Sequence, residues 1–154
     1  MSATTADRIE KKKKLSHPRS RVWRALTDSK EFGSWFGAAF SGPFEVGARV
    51  KGRITHKGYE HLTMELEIER MEPERLISWR WHPGAPEPGG DASEEPTTRV
   101  VFELEDVPGG TLLTVVESGF DRYPPARREK AFRENDQGWE VQMGAIEAHL
   151  AKSA

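Results

Sequence analysis

Residues 17–37, HPRSRVWRALTDSKEFGSWFG, decide the fold, because they read as one amphipathic helix, a capped break and an aromatic pair delivered to a core. Pro18 suits the first helical turn, where its missing N–H would have no intrahelical partner. Val22, Trp23, Ala25 and Leu26 then recur at helical spacing. Thr27 and Asp28 end that helix and cap a short second one, since a short polar side chain accepts from the free N–H groups of the next turn. Trp35 and Phe36 follow Gly33, so two large rings arrive on a short, turned segment.

Upstream, residues 6–15 read as a first strand with Ile9 and Leu15 on one parity and Lys11 to Lys14 between them. Alternation then puts Lys11 and Lys13 on the face of Ile9 and Leu15. The expectation is an edge strand protected from aggregation by lysine, either bulged there or turning two lysines toward an interior rim. Binding of an anionic headgroup is the competing use of the run.

Downstream come several strands in succession. Residues 48–57 alternate, with Val50, Ile54 and His56 against Lys51, Arg53 and Thr55, and Lys57-Gly58 reads as a hairpin turn. Residues 61–71 set Leu62, Met64, Leu66 and Ile68 against Thr63, Glu65, Glu67 and Glu69, one buried face and one wet. Residues 75–82 align Ile77, Trp79 and Trp81, and residues 98–106 align Val100, Phe102 and Leu104. Residues 111–117 are apolar on both parities, after a Pro108-Gly109-Gly110 turn. Between Pro83 and Pro96 the composition is that of a long mobile loop, a lid or a disordered link. Residues 126–150 close the chain as a helix of about 37 Å with Phe132, Trp139, Met143, Ile146 and Leu150 as its apolar stripe. Asn135 and Asp136 fall on that stripe one turn before Trp139.

This order predicts one α+β domain over residues 1–154. It is a helix-grip arrangement in which a curved antiparallel sheet of about six or seven strands wraps a long C-terminal helix, with two short helices after the first strand. A sheet holding a lone helix leaves room for a pocket lined by both. Composition narrows the chemistry. The net charge is only −2, which implies no nucleic-acid partner. The chain has no cysteine, which excludes thiolate metal sites, iron–sulfur clusters and cysteine nucleophiles. No apolar run approaches the ~20 residues of a membrane helix, and MSATTADRIE lacks a signal-peptide core, so the expected location is the cytoplasm.

The pieces Val22-Trp23-Arg24-Ala25-Leu26-Thr27-Asp28, Trp35-Phe36, Gly42-Pro43-Phe44, Met71-Glu72-Pro73-Glu74-Arg75-Leu76, Gly110-Thr111-Leu112-Leu113-Thr114, Glu117-Ser118-Gly119-Phe120 and Gly138-Trp139 occur in an order and spacing that resemble a known superfamily. It is the START-like or Bet v 1-like (SRPBCC) superfamily, and within it the bacterial proteins similar to the C-terminal domain of the Hsp90 ATPase activator Aha1. The lysine run departs from that pattern, which has alternating apolar residues there. The resemblance implies a deep apolar cavity between sheet and long helix, used across the superfamily for lipids, polyketides, sterols and hormones. It also implies three kinds of role: ligand binding, Hsp90 activation, or cyclase-type catalysis. A further label, an oxidoreductase subunit of vanillate demethylation, requires cluster cysteines that this chain lacks.

The residues expected to contact a ligand are Trp35, Phe36, Met64, Trp79, Trp81, Phe102, Glu117, Asp136, Trp139 and Met143, with Trp35, Trp79, Trp81 and Trp139 on interior positions. Trp23 is expected to pack or lie partly exposed. His56 and His61 flank Tyr59-Glu60, yet their parities point them to different sides, so no metal site is expected. Nucleophile elbows, zinc-protease helices and phosphate loops are all missing from the sequence, so neither a cofactor nor a catalytic residue is assigned. Acid–base chemistry, if any, falls to Glu117, Asp136, Arg80, His82 or Tyr59; the structural alternative pairs Glu117 with Arg80 across strands and leaves Asp136 at a solvated mouth. The expected function is binding of a small hydrophobic or amphipathic ligand, with a bacterial Hsp90 as an alternative partner and a cyclase or hydrolase acting on a polyketide-like substrate as a further alternative.

Overall fold

Asp28 divides the opening stretch as its residue type predicts: its carboxylate accepts from the backbone N–H groups of Lys30 and Glu31 at 3.0 and 3.1 Å. It thereby separates α1 (Arg19–Thr27) from α2 (Ser29–Phe36) in the computed structural model, which describes residues 8–58, 60–82 and 96–152. Gly37 ends α2 at φ 97°, a left-handed cap that turns the chain straight into β2 (Ala38–Phe40). β2 is not foreseen from sequence, since three residues are too few to show a period of two.

The remaining strands are β1 (Arg8–Leu15), β3 (Arg49–Ile54), β4 (Thr63–Glu72), β5 (Leu76–Trp81), β6 (Thr98–Val107) and β7 (Gly110–Ser118). They form one antiparallel sheet in the order β1-β7-β6-β5-β4-β3-β2. β3 stops at Ile54 and β4 starts at Thr63, so His56 and Leu62 lie beyond the paired residues. The His56 ring packs against Gly37, and His61 is exposed. A register shift between Ile68 and Arg70 inserts one residue into β4. Across the sheet, Ile68, Trp79, Val100, Glu117 and Ile9 pair in one row. Paired residues share a face, so that row carries one carboxyl group among apolar neighbours.

A 3-10 turn, Phe120–Arg122, leads into α3 (Pro125–Lys152), whose 28 residues span about 42 Å. Ala131, Trp139, Met143, Ile146 and Leu150 are its buried residues, so the expected stripe holds except that Phe132 is half-buried, stacked edge-on against Phe120. Among the described residues no helix is long and apolar enough to cross a membrane. Tyr59, and all of the expected Pro83–Pro96 loop except Pro96 itself, lie outside the described residues.

The lysine run is explained by α3. Lys11 reaches Asp136 and Glu140, both at 3.1 Å, and Lys13 reaches Glu147 at 3.2 Å. The two lysines on the inner parity of edge strand β1 therefore meet an acidic side of the long helix. Burial disfavours the charged Lys11 amine, but Glu140 and Asp136 outweigh it and hold its pKa above the ordinary lysine value.

A second ionic junction ties the three helices together. Glu31 of α2 accepts from Arg21 (2.6 Å) and Arg24 (3.2 Å) of α1 and from His149 Nε2 of α3 (2.7 Å). Burial pushes the Glu31 carboxyl up, yet the bonds from His149 and Arg21 prevail and place it below the usual carboxylate value. A folded pKa below the unfolded one gives stability that is present above the unfolded pKa and is lost as pH falls through the folded one. Glu31→Gln should therefore cost about 2 kcal/mol near neutral pH, and the cost should shrink as the pH falls below the ordinary carboxylate range. Urea midpoints of both proteins at pH 7 and pH 3.5 measure this; an equal difference at the two pH values would assign Glu31 a packing role instead.

Candidate functional site

Glu117 lies on the inner face of β7 and is 0% exposed. Its Oε2 accepts from Trp81 Nε1 at 2.8 Å and from the Thr98 hydroxyl at 2.5 Å. Its Oε1 accepts from Trp139 Nε1 at 2.8 Å, and the Asn135 amide donates to both oxygens at 2.9 and 3.0 Å. These donors come from β5, β6 and α3, and each is neutral. Among the described residues no ion pair to Glu117 occurs. A buried carboxyl group is tolerated when its lone pairs are satisfied, and here five hydrogen bonds do so. The group fastens α3 to the middle of the sheet.

Around this anchor the rings form a continuous cluster. Trp81 and Trp139 stack at 5.7 Å with 26° between planes, and Phe36 meets them at 6.0 and 6.3 Å. Phe102 stands edge-on to Trp139 at 5.6 Å, and Trp79 touches both Trp81 and Phe102. Phe32 fills the centre of the α2 side, within 4.7 to 5.7 Å of Trp35, Phe36, Phe40, Phe44 and Trp79. Such rings close most of the space between sheet and helices. Among the described residues, a pocket of about 160 Å³ stays open at the sheet–helix junction, lined by Phe36, Trp81, Asn135, Gly138, Trp139 and Gln142. This is far smaller than the deep cavity the superfamily resemblance implies. Wider hollows of about 430, 380 and 410 Å³ lie beside the start of α2, beside Arg49 and Arg80, and at the β6–β7 turn, but α3 lines none of these three.

The helical lining follows from spacing. Asn135, Gly138, Trp139 and Gln142 stand at offsets of 0, 3, 4 and 7, one face of α3. Asp136 is about 100° further round, which takes it to Lys11 at the sheet edge and away from the pocket lining. Of the ten residues expected from sequence, Phe36, Trp81 and Trp139 line the pocket and Glu117 bonds to both indoles. Trp79 and Phe102 pack behind them. Trp35 donates its indole N–H to the Ala25 carbonyl at 2.9 Å, and Met64 and Met143 join the core away from the lining. The Arg80–Glu117 pairing does not occur: Arg80 is on the opposite parity and its Nε donates to the Thr97 hydroxyl at 2.9 Å. His82 lines the hollow beside Arg80, and its buried Nδ1 has no partner among the described residues. Sequence reading missed Thr98, Gly138 and Gln142 as site residues. For Asn135 a signal existed, an amide on an apolar stripe.

Protein MLL2253 from Mesorhizobium loti is 24% identical with a TM-score of 0.76, over 96% of this chain and 98% of that one. DynU16, described as a putative protein in the dynemicin biosynthetic locus, is 22% identical with a TM-score of 0.74, over 96% of this chain and 48% of its own length. This chain thus spans about half of it. The Aha1 dimer from Colwellia psychrerythraea is 16% identical with a TM-score of 0.67, over 91% of this chain and 92% of that one. At these identities the likeness is one of fold. Among curated proteins none matches. Residues 16–151, from the end of β1 nearly to the end of α3, match the family described as Activator of Hsp90 ATPase homolog 1-like protein, and the chain belongs to that family.

Proposed function

We propose that this protein binds a small, flat, mainly apolar molecule in the pocket bounded by Phe36, Trp81, Asn135, Gly138, Trp139 and Gln142. Gly138 is the observation that carries the reading. A glycine inside a helix costs about 0.5–1 kcal/mol relative to alanine. At Gly138 packing does not demand that cost, because an added Cβ would meet nothing within 4 Å. What the missing side chain leaves open is the pocket itself. A volume near 160 Å³ suits one or two rings, since an apolar cavity of about 150 Å³ holds benzene. It does not suit the lipids and sterols carried by larger cavities of the superfamily. Binding without catalysis is favoured because both Glu117 oxygens are already occupied by donors, leaving no lone pair placed to accept a proton from a guest.

Native mass spectrometry and tryptophan-fluorescence titration with single- and double-ring aromatics test the reading. Saturable quenching is expected; no binding of any such compound at millimolar concentration would overturn it. Glycine substitutions give an independent measure. Gly138→Ala should raise stability by about 0.5–1 kcal/mol while weakening a bound ring several-fold. Gly144→Ala, on the exposed side of the same helix and also free of contacts, should give the same stabilisation and leave binding unchanged. Equal effects of the two on binding would remove the pocket from the argument.

The family description and the Colwellia neighbour favour a second reading, an activator of a bacterial Hsp90. Titrating the protein into the cognate chaperone tests it: a rise in ATP turnover supports it, and unchanged turnover without co-elution counts against it.

A further inference from the structure

We infer that the pocket selects flat molecules bearing N–H or O–H donors, with aromatic ammonium compounds preferred, and rejects carboxylates; this rests on the binding reading above. Two amides of the lining have their orientation fixed by their partners. Asn135 donates to the two oxygens of Glu117, which accept from every other partner as well. Gln142 Nε2 donates at 2.9 Å to the Phe36 carbonyl, which can only accept. Each NH2 must therefore face inward, and each amide oxygen must face elsewhere. No donor among the described residues bonds to either oxygen, and neither is buried without a partner. Both are therefore free acceptors on residues that line one pocket.

The rest of the lining agrees in sign. Three aromatic rings favour cations over anions at their faces. The set contains no lysine or arginine. Lys11, which reaches α3 beside Asn135, is held there by Asp136 and Glu140. Behind the stacked indoles stands the acid Glu117. A carboxylate guest would thus meet ring faces and amide oxygens, with no cation in the lining, and give up its hydration without replacement. A donor-bearing guest would stack on the rings and bond to one or both amide oxygens.

Four single-ring probes of similar size separate the outcomes on the unaltered full chain: benzylamine as its ammonium ion, phenol, toluene and benzoate, each titrated against tryptophan fluorescence and followed by NMR shifts. Benzylamine and phenol should bind about tenfold more tightly than toluene, and benzoate most weakly. Gln142→Leu should cut the tenfold preference of benzylamine and phenol over toluene to less than about threefold. Equal affinity for toluene and benzylamine, or tightest binding of benzoate, would overturn the inference and leave the binding reading standing. No binding of any probe would overturn both. Because the probe comparison is made on the native chain, a folding defect in Gln142→Leu cannot decide the matter.

Discussion

Glu117→Gln should lower stability by about 3 kcal/mol although it changes no volume. The carboxyl group receives five hydrogen bonds: Trp81 and Thr98 donate to one oxygen and Trp139 to the other, with Asn135 spanning both. A glutamine has one oxygen to offer and a donor of its own on the other side. Whichever way the amide turns, its NH2 meets an indole N–H that cannot become an acceptor. The Thr98 hydroxyl can rotate and accept, so the least costly arrangement turns the NH2 toward Trp81 and Thr98 and orphans the Trp81 indole. One buried, unpaired donor costs about 1–3 kcal/mol, and the remaining bonds lose their charge-assisted strength. Relief of the buried acid's desolvation acts the other way. It would win if the partners were replaced too, but here they stay. For a chain of this size the loss corresponds to a fall in Tm of about 6–12 °C. Glu117→Leu leaves every donor unpaired and should fall further than Glu117→Gln. Scanning calorimetry decides, with near-ultraviolet circular dichroism reporting the two indoles. A Leu variant as stable as the Gln variant, or a Gln variant as stable as the parent, would mean that apolar packing alone holds α3 to the sheet.

That network also marks how far the sequence could be read. Parity put Trp79, Trp81, Val100 and Phe102 on the inner face, and the structure buries all four, because a strand's alternation is a local property. The cap at Asp28 was legible for the same reason. Glu117 stood out as a polar residue near the grip, yet its four partners lie 18 to 36 residues away on three other elements. Which of Arg80, Trp81 and Thr98 reaches it depends on register between strands, and a single sequence does not encode register visibly. The same limit governs α3. Asn135 and Asp136 differ by one residue, and a rotation of about 100° decides that one bonds Glu117 and the other Lys11. Pocket volume was hidden for a different reason. It is the small remainder after nine interlocking rings have packed, and a remainder cannot be read from the pattern that produces the packing.

Gly33→Ala should cost about 3 kcal/mol, opposite in sign to the same substitution at Gly138. Both glycines lie inside helices, where alanine is intrinsically better by about 0.5–1 kcal/mol. Their surroundings reverse the outcome. Gly37 at φ 97° folds the chain back so that β2 begins directly against α2, and the Ala38 carbonyl oxygen comes within 2.1 Å of the position a Cβ on Gly33 would occupy. The obstacle is backbone on a segment paired to β3, so it cannot swing aside as a flexible side chain would. Either α2 tilts away or the β2–β3 pairing opens. Each response displaces Trp35 and Phe36, the pair that α2 carries into the ring cluster. Loss of stability should therefore come with weaker binding of a ring in the pocket, since Phe36 is one of its walls. Thermal melts of Gly33→Ala and Gly138→Ala in parallel give the contrast directly: one below the parent by about 6–12 °C, the other above it by about 1–4 °C. Two shifts of the same sign would show that helix propensity governs both sites, and that the close approach of β2 to α2 does not hold the aromatic pair in place.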